Sequence, residues 1–370
     1  MRVLSTGIDT LNLAAKGVVR SEVWELLVEA QQQARMEEES QPVEFPMTGQ
    51  AFLVKPHGLR GHAYWLTSPD FELIVGKSEK FPPVLVQLHS AYMHSVGMDR
   101  ALDLMEMLLR HEVFAGAYRL NVSRIDIYAD FQSWEPEVTD LDRFVSFSRH
   151  RRGFQHNQQV YMTGPRLTGF MFGKGDLAAR IYDKTVEIQR RGVSWLPDLW
   201  GIDGSDRPVW RLEFQYRRAV LAEFNLSGVD ETVASVQDLW RYGTEEWMSL
   251  RVRRKHSVRR RWPVDPLWEE IRAIQIKPTM TGVVRRRLEE ANELKLQEGF
   301  QGYATSLAAR RDHKDLGDAM DDFGTLVRSY LASRGRGFTE EVRRKQSRQL
   351  SVTALLESER HILTSDRGGE

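Results

Sequence analysis

The sequence predicts an α+β fold: two related halves of mostly antiparallel sheet backed by helices, followed by a helical C-terminal region. Three observations carry this expectation. Strand-like runs separated by Gly and Pro dominate the first 225 residues. Their outline repeats after about residue 120, and strand signals stop near Val229. The expected segments are an N-terminal α+β half (1–119), a second α+β half (120–225), and a helical, basic remainder (226–370).

The elements follow in order. A strand over 7–13 leads into a helix over 21–36, where Val23, Trp24, Leu26, Leu27 and Ala30 recur at helical spacing. A loop containing Pro42 and Pro46 precedes strands near 51–55, 62–67, 71–76 and 84–90, then an amphipathic helix over 99–110. In the second half, a strand over 123–131 (SRIDIYADF) is followed by a short helix near 140–147. Strands then fall near 158–162, 168–173, 178–184 and 209–217. An Ile-Asp dipeptide opens both halves, which reads as an internal duplication. Helices are expected over 231–250, 266–274, 283–298, 304–311, 316–333 and 339–349, with a frayed tail beyond.

The chain has 370 residues, 52 Lys+Arg against 52 Asp+Glu, and no cysteine. The last fact excludes disulfides, thiolate metal sites and a cysteine nucleophile. No apolar run approaches the roughly 18 residues of a membrane span, so the cytoplasm is the expected compartment. Zero net charge argues against a nucleic-acid partner only until it is divided. Residues 251–370 hold 25 basic and 18 acidic side chains, leaving 27 and 34 in residues 1–250. Neutrality is the sum of two oppositely charged parts.

Alternation assigns strand faces. In 123–131, Ile125, Ile127, Ala129 and Phe131 make a core face, leaving Arg124, Asp126, Tyr128 and Asp130 opposite. In 209–217, Trp210, Leu212, Phe214 and Tyr216 face the core, against Arg211, Glu213, Gln215 and Arg217. In 178–184, Ala179 and Ile181 oppose Arg180, Tyr182 and Lys184. Paired in one sheet, these strands collect three carboxylates, several cations and a tyrosine on an open face. The plain alternative is the solvated face of an antiparallel sheet. Asp and Glu oxygens suit Mg²⁺ or Mn²⁺. Asp126 and Asp130 lie about 13 Å apart along a strand at roughly 3.3 Å per residue, so Asp126 with Glu213 is the better pair and Asp130 the weaker ligand.

SRIDIYADF, GFMFGKGDLAARIYDK and VWRLEFQYRR together resemble the replication initiation factor family, the trans-acting initiators of rolling-circle plasmids and phages with related conjugative relaxases. The resemblance covers about 120–220 well, extends loosely to 275 and is faint over 1–119. It implies site-specific, metal-dependent DNA nicking and strand transfer through a 5′-phosphotyrosine. Tyr182 would be the nucleophile, Asp126 and Glu213 the ligands of a divalent Mg or Mn ion, and Lys184 and Arg180 the groups holding the scissile phosphate or the phenolate. Its partners would be single-stranded or supercoiled DNA at a replication origin, with a helicase and a second copy of the chain as further candidates. A conjugative relaxase, or a non-catalytic DNA-binding protein on the same scaffold, are the alternatives.

No His-hydrophobic-His metal motif is present, and Asp183 and Glu187 read as surface charge, with an extra metal ligand as the alternative. Tyr128 is a second-choice nucleophile. Asp9 lies on the strand equivalent to 123–131, but no R-I-Y-D-K element follows it, so the first half is expected to be silent. RVRRKHSVRRR (251–261) has seven basic residues in eleven. With Trp262 beside them, Arg251, Arg253, Arg254, Lys255, Arg259, Arg260 and Arg261 are expected phosphate contacts, joined by Arg124 and Arg211 from the sheet. Gly-Lys-Gly in GFMFGKGD reads as a hairpin turn, since it lacks the spacing of a nucleotide loop.

Overall fold

The computed structural model describes residues 1–78, 80–147, 158–191, 193, 195–202, 207–255, 258–277, 297 and 300–349. The strands, in chain order, are β1 (Arg2–Lys16), β2 (Gln41–Phe45), β3 (Gln50–Val54), β4 (Tyr64–Thr67), β5 (Phe71–Val75), β6 (Val84–Leu88), β7 (Arg119–Gln132), β8 (Phe144–Ser146), β9 (Gln158–Thr163), β10 (Arg166–Phe172), β11 (Leu177–Asp183), β12 (Trp210–Arg217) and β13 (Met248–Leu250). The architecture is α+β. Two compact units interleave along the sequence. One comprises residues 1–18, 71–103 and 116–284; the other comprises 19–70, 104–115 and 285–370.

The first unit is built on an antiparallel sheet of order β5-β6-β1-β7-β12-β11-β10-β9. Its centre is the pairing of β1 with β7, which runs from Arg2 opposite Gln132 to Lys16 opposite Arg119. The two Ile-Asp segments are therefore neighbours, with Ile8 opposite Ile127 and Thr10 opposite Asp126. Asp9 is the extra residue of a bulge between them. Residues on either side of the 119/120 boundary thus share one antiparallel sheet. The reason is that β1 and β7 each present an apolar face, and pairing places both in one core.

That core follows the alternation read from sequence. Ile125, Ile127, Phe131, Leu212, Phe214, Ile181, Phe170 and Phe172 are all buried. Phe144, Trp240, Trp247 and Trp268 cover them, with Phe144 packing against Phe170, Phe172 and Trp268 and Phe214 meeting Trp240 edge-on at 5.5 Å. These large rings come from β8, the helices Val236–Arg241 and Pro266–Arg272, and the turn Tyr242–Trp247. Each buried indole also needs an acceptor. Trp240 Nε1 donates to the Ile271 carbonyl at 3.1 Å, and Trp268 Nε1 to that of Thr244 at 2.9 Å. Gly243 is required where the turn crosses the core, since a Cβ there would meet the Tyr216 hydroxyl at 2.9 Å.

The polar face is not open, which is a correction. Asp126, Tyr128, Asp130, Arg211 and Glu213 are each at most 2% exposed. The helix Ser90–Val96 and the helix Trp195–Trp200, which the periodicity did not reveal, supply His94, Trp195 and Trp200 to this side. Another correction concerns the region after Val229. The helix expected over 231–250 breaks into shorter turns, and its end forms β13, which pairs with β8 where a helix was expected near 140–147.

The second unit contains β2, β3 and β4 in antiparallel order, with the helix Ser21–Met36 against β2 and β3. The expected loop at 41–45 is strand β2, in which Gln41, Val43 and Phe45 alternate as buried positions. Glu112 satisfies the turn after β2, accepting from the backbone of Met47 at 2.5 Å and Thr48 at 2.7 Å. Arg336 pairs with Glu37 and Glu39, fixing the start of the helix Phe338–Gln349. The helix expected over 283–298, apart from Gln297, and the expected frayed tail lie outside the described residues. Among the described residues, no helix is long and apolar enough to cross a membrane.

Trp240 is wholly buried and hydrogen-bonded. Trp240→Ala should therefore cost about 3–5 kcal/mol in urea unfolding, with the slope of the transition unchanged if the variant stays two-state.

Candidate active site

Register brings the chemistry together. Within the sheet Arg211 pairs opposite Asp130 and Tyr182, Glu213 opposite Tyr128 and Arg180, and Gln215 opposite Asp126 and Ala178. Opposed residues share a face, so Tyr182, Arg180, Glu213, Asp126 and Arg211 all lie on the side covered by His94 and Trp200.

Tyr182 is the half-buried centre of this group. Its hydroxyl donates to Glu213 Oε2 at 2.9 Å, and Lys184 Nζ donates to the same hydroxyl at 3.4 Å. Arg180 reaches the other carboxylate oxygen of Glu213 at 3.1 Å and Gln215 at 3.3 Å. Lys184 was expected on the strand, but β11 ends at Asp183 and Lys184 opens the helix Lys184–Arg191. There it is buried and paired with Glu187. Asp183 is not surface charge. It is buried, accepts from Val186 N at 3.1 Å to start that helix, and pairs with Arg166 at 2.5 Å.

Burial raises the Tyr182 phenol well above its ordinary value, and the Glu213 carboxylate beside it adds to the rise. The phenol is neutral at rest. Burial, then Asp9 and Asp126, push Glu213 up to about 7. A carboxylate that takes up a proton near neutrality sits 2.9 Å from a hydroxyl that must lose one to react. Asp126 is also raised, by burial first, with Arg124 opposing.

Arg211 is the second centre. Its Nε donates to Asp130 Oδ1 at 2.6 Å and its Nη2 to Oδ2 at 2.8 Å, while Nη1 pairs with Asp9. The guanidinium stacks 3.7 Å from the Tyr128 ring centre. Asp130 Oδ2 also accepts from Ser5 Oγ and Trp200 Nε1, each at 2.8 Å. The carboxylate thus accepts four hydrogen bonds, three of them on Oδ2, so Asp130, the weaker expected ligand, is engaged by protein donors. Arg211, expected to meet DNA, is sealed at 1% exposure. Tyr128, the second-choice nucleophile, is wholly buried with its hydroxyl 3.0 Å from His94 Nε2. Burial drives its pKa up, and burial with Arg211 drives that of His94 down to about 4.

Asp126 and Glu213 do share a face, but guanidinium groups already occupy the cation positions around them. Arg124 holds both oxygens of Asp126, and Arg180 holds Glu213. Among the described residues, no three His, Asp or Glu side chains form a metal-binding group. As arranged, these residues do not fit a bound Mg²⁺ or Mn²⁺ ion. Arg124, expected on DNA, is engaged by Asp126.

Asp9 was missed. Burial raises its carboxyl, Arg211, Lys184 and His94 together lower it by more, and its charge acts on both Asp126 and Glu213. The first half therefore contributes to the site it was expected to leave alone. The repeated Ile-Asp dipeptide was the available signal. Only a bulge turns Asp9 onto the polar face, and alternation cannot reveal one.

The basic segment divides in two. Arg251 is structural: its Nε donates to Ser249 Oγ at 2.8 Å and its Nη1 to the Trp262 carbonyl at 3.1 Å. Arg253, Arg254, Lys255, Arg259, Arg260 and Arg261 are exposed. Of these, Arg259 reaches Asp142 at 3.2 Å, and Arg260 stacks 3.9 Å from the Phe147 ring centre.

Removing Arg211 would strand the buried Asp130 carboxylate and the half-buried one of Asp9, so Arg211→Met should lose about 3–5 kcal/mol of stability in urea unfolding. The pH dependence has a definite sign. Folded Glu213 keeps its proton to about 7 against an ordinary 4.5, so the folded state binds more protons across that window. Stability contributed by this group falls as pH rises from 4.5 to 7 and is flat above. In Glu213→Gln, unfolding measured at pH 5, 6, 7 and 8 should show that slope reduced.

No protein-family model and no curated protein matches the chain. Among solved structures, the chain is similar to a rolling circle replication initiator protein from Geobacillus stearothermophilus, with a TM-score of 0.44 and 17% identity over 75% of this chain and 99% of that one.

Proposed function

We propose that this protein is a rolling-circle replication initiator that nicks and rejoins one DNA strand through Tyr182. The observation that carries the reading is the contact of the Tyr182 hydroxyl with Glu213 on one side and Lys184 on the other. The sequence resemblance over 120–220 points to the same tyrosine. The chemistry balances. Tyr182 Oη attacks phosphorus, its proton passes to Glu213, and the bond from phosphorus to the 3′-oxygen breaks, that oxygen taking up a proton from water. A 5′-phosphotyrosine and a free 3′-hydroxyl result, and reversal by a 3′-hydroxyl reseals the strand. Lys184 and Arg180 stabilise the phenolate and the phosphorane charge.

Origin DNA is the substrate of this reading, and the cytoplasm its compartment. The exposed cations at 253–255 and 259–261 are the proposed backbone contacts. Residues 120–225 are the proposed catalytic segment, with the helical remainder serving DNA or partner binding. A helicase and a second copy of the chain are the proposed partners. A conjugative relaxase would use the same groups on a different element. Dependence on Mg²⁺ or Mn²⁺ requires Arg124 or Arg180 to release its carboxylate, so no step above passes through a metal.

The test incubates the protein with end-labelled single-stranded origin DNA and looks for an SDS-resistant adduct. The expected outcome is an adduct that Tyr182→Phe abolishes; its persistence in that variant would remove Tyr182 as nucleophile. Glu213→Gln should slow adduct formation by roughly 10²–10⁴-fold. The wild-type rate should rise with pH toward a plateau above about 7, as Glu213 loses its proton. Parallel reactions with Mg²⁺, Mn²⁺ and EDTA read metal dependence directly.

A further inference from the structure

Tyr182 has a counterpart two strands away. In the register of β9, β10 and β11, Gly169 pairs opposite Tyr182 on one side and opposite Tyr161 on the other. Opposed residues share a face, so Tyr182, Gly169 and Tyr161 form one row across the sheet, on the side of the candidate site. The next row is Arg180, Met171 and Gln159.

Gly169 leaves a side-chain-free floor between the two tyrosines. A Cβ there would lie 2.7 Å from the Ile181 carbonyl oxygen and 2.9 Å from Tyr182 Cβ, so no other residue fits without moving the Tyr182 strand. The tyrosine backbones are about 10 Å apart, from roughly 4.8 Å per strand step. Tyr161 is 46% exposed. Its hydroxyl donates to Gln159 Oε1 at 2.9 Å and lies 3.4 Å from Met171 Sδ, which fixes the ring along its own strand. An exposed, oriented aromatic ring beside a bare floor offers a π-face at low ordering cost. Three cations lie along the same strands and their flanks: Arg180 in the adjacent row, Lys184 on the Tyr182 hydroxyl, and Arg190 donating to Thr163 at the end of β9.

We infer that the Gly169 floor and the Tyr161 ring form a subsite for a nucleobase next to the scissile phosphate, with the base stacked on Tyr161 while its phosphate meets Tyr182. The inference rests on the proposed strand-transfer function. It adds a residue that positions the strand and takes no part in bond making. Stacking is tolerant of base identity, so this subsite orders the strand without reading its sequence.

The test measures binding of fluorescein-labelled single-stranded dT20, and of the same strand carrying 2-aminopurine, to full-length protein in a Tyr182→Phe background, where no covalent capture occurs. Tyr161→Ala should bind roughly 5- to 150-fold more weakly and lose quenching of 2-aminopurine. Tyr161→Phe, which keeps the ring, should bind within about two-fold of its parent and retain the quenching. Unchanged affinity in Tyr161→Ala would overturn the subsite, as would an equal loss in Tyr161→Phe. Loss of self-association in Tyr161→Ala with DNA binding intact would also overturn it, and would make the β9 edge a contact between copies. The adduct assay on protein with Tyr182 intact reads the underlying function separately. An adduct that forms normally while Tyr161→Ala binds normally would reject the subsite alone.

Discussion

The buried ion pair of Arg211 with Asp130 and Asp9 is the constraint on which the rest of this site depends. A guanidinium at 1% exposure is tolerable only because two carboxylates and an aromatic face surround it. Burial works against its charge, and Asp130 holds that charge in place. The three partners come from different strands: Asp9 from the β1 bulge, Asp130 from β7 and Arg211 from β12. Pairing them therefore fixes the register of the central sheet through charge as well as through backbone hydrogen bonds. Trp200 and Ser5 complete the shell of Asp130, which ties a covering helix and the start of β1 to the same point.

The titration of Glu213 follows from that arrangement. Arg211 engages Asp9, yet the charge of Asp9 still acts on Glu213 in a buried setting. Asp126 does the same from β7, while Arg180 and Arg211 oppose. The outcome is a carboxyl near 7 beside a phenol that burial keeps neutral. Arg124 and Arg180 supply the positive charge directly beside Asp126 and Glu213. In the proposed reaction the same groups meet a phosphodiester, whose negative charge would draw these arginines toward it.

Much of the sheet was legible from sequence because its alternation is strict. The faces of 123–131 and 209–217 place Ile125, Phe131, Leu212 and Phe214 in the core and Asp126 and Glu213 opposite, as the structure has them. Tyr182, Arg180 and Glu213 could be grouped for the same reason. Burial of that polar face was not legible. The helix Trp195–Trp200 is too short for a periodic signal, and alternation reports which residues share a side, not whether a helix covers it. The loop expected at Pro42 was strand β2, where Pro42 sits at one of the exposed, outward-facing positions.

The sequence by itself determined which side chains share a face and which tyrosine stands among cations and carboxylates, because both properties are local to a strand. Tertiary structure decided what those groups are available for. Arg211 and Asp130 satisfy each other in the interior, and Arg251 braces a loop. The bulge in β1 turns Asp9 onto a site some 200 residues away in sequence from Arg211, its partner there. Hydrogen bonds and charges act through space over a few ångströms, so what Arg211 does was settled only when β1, β7 and β12 were laid side by side.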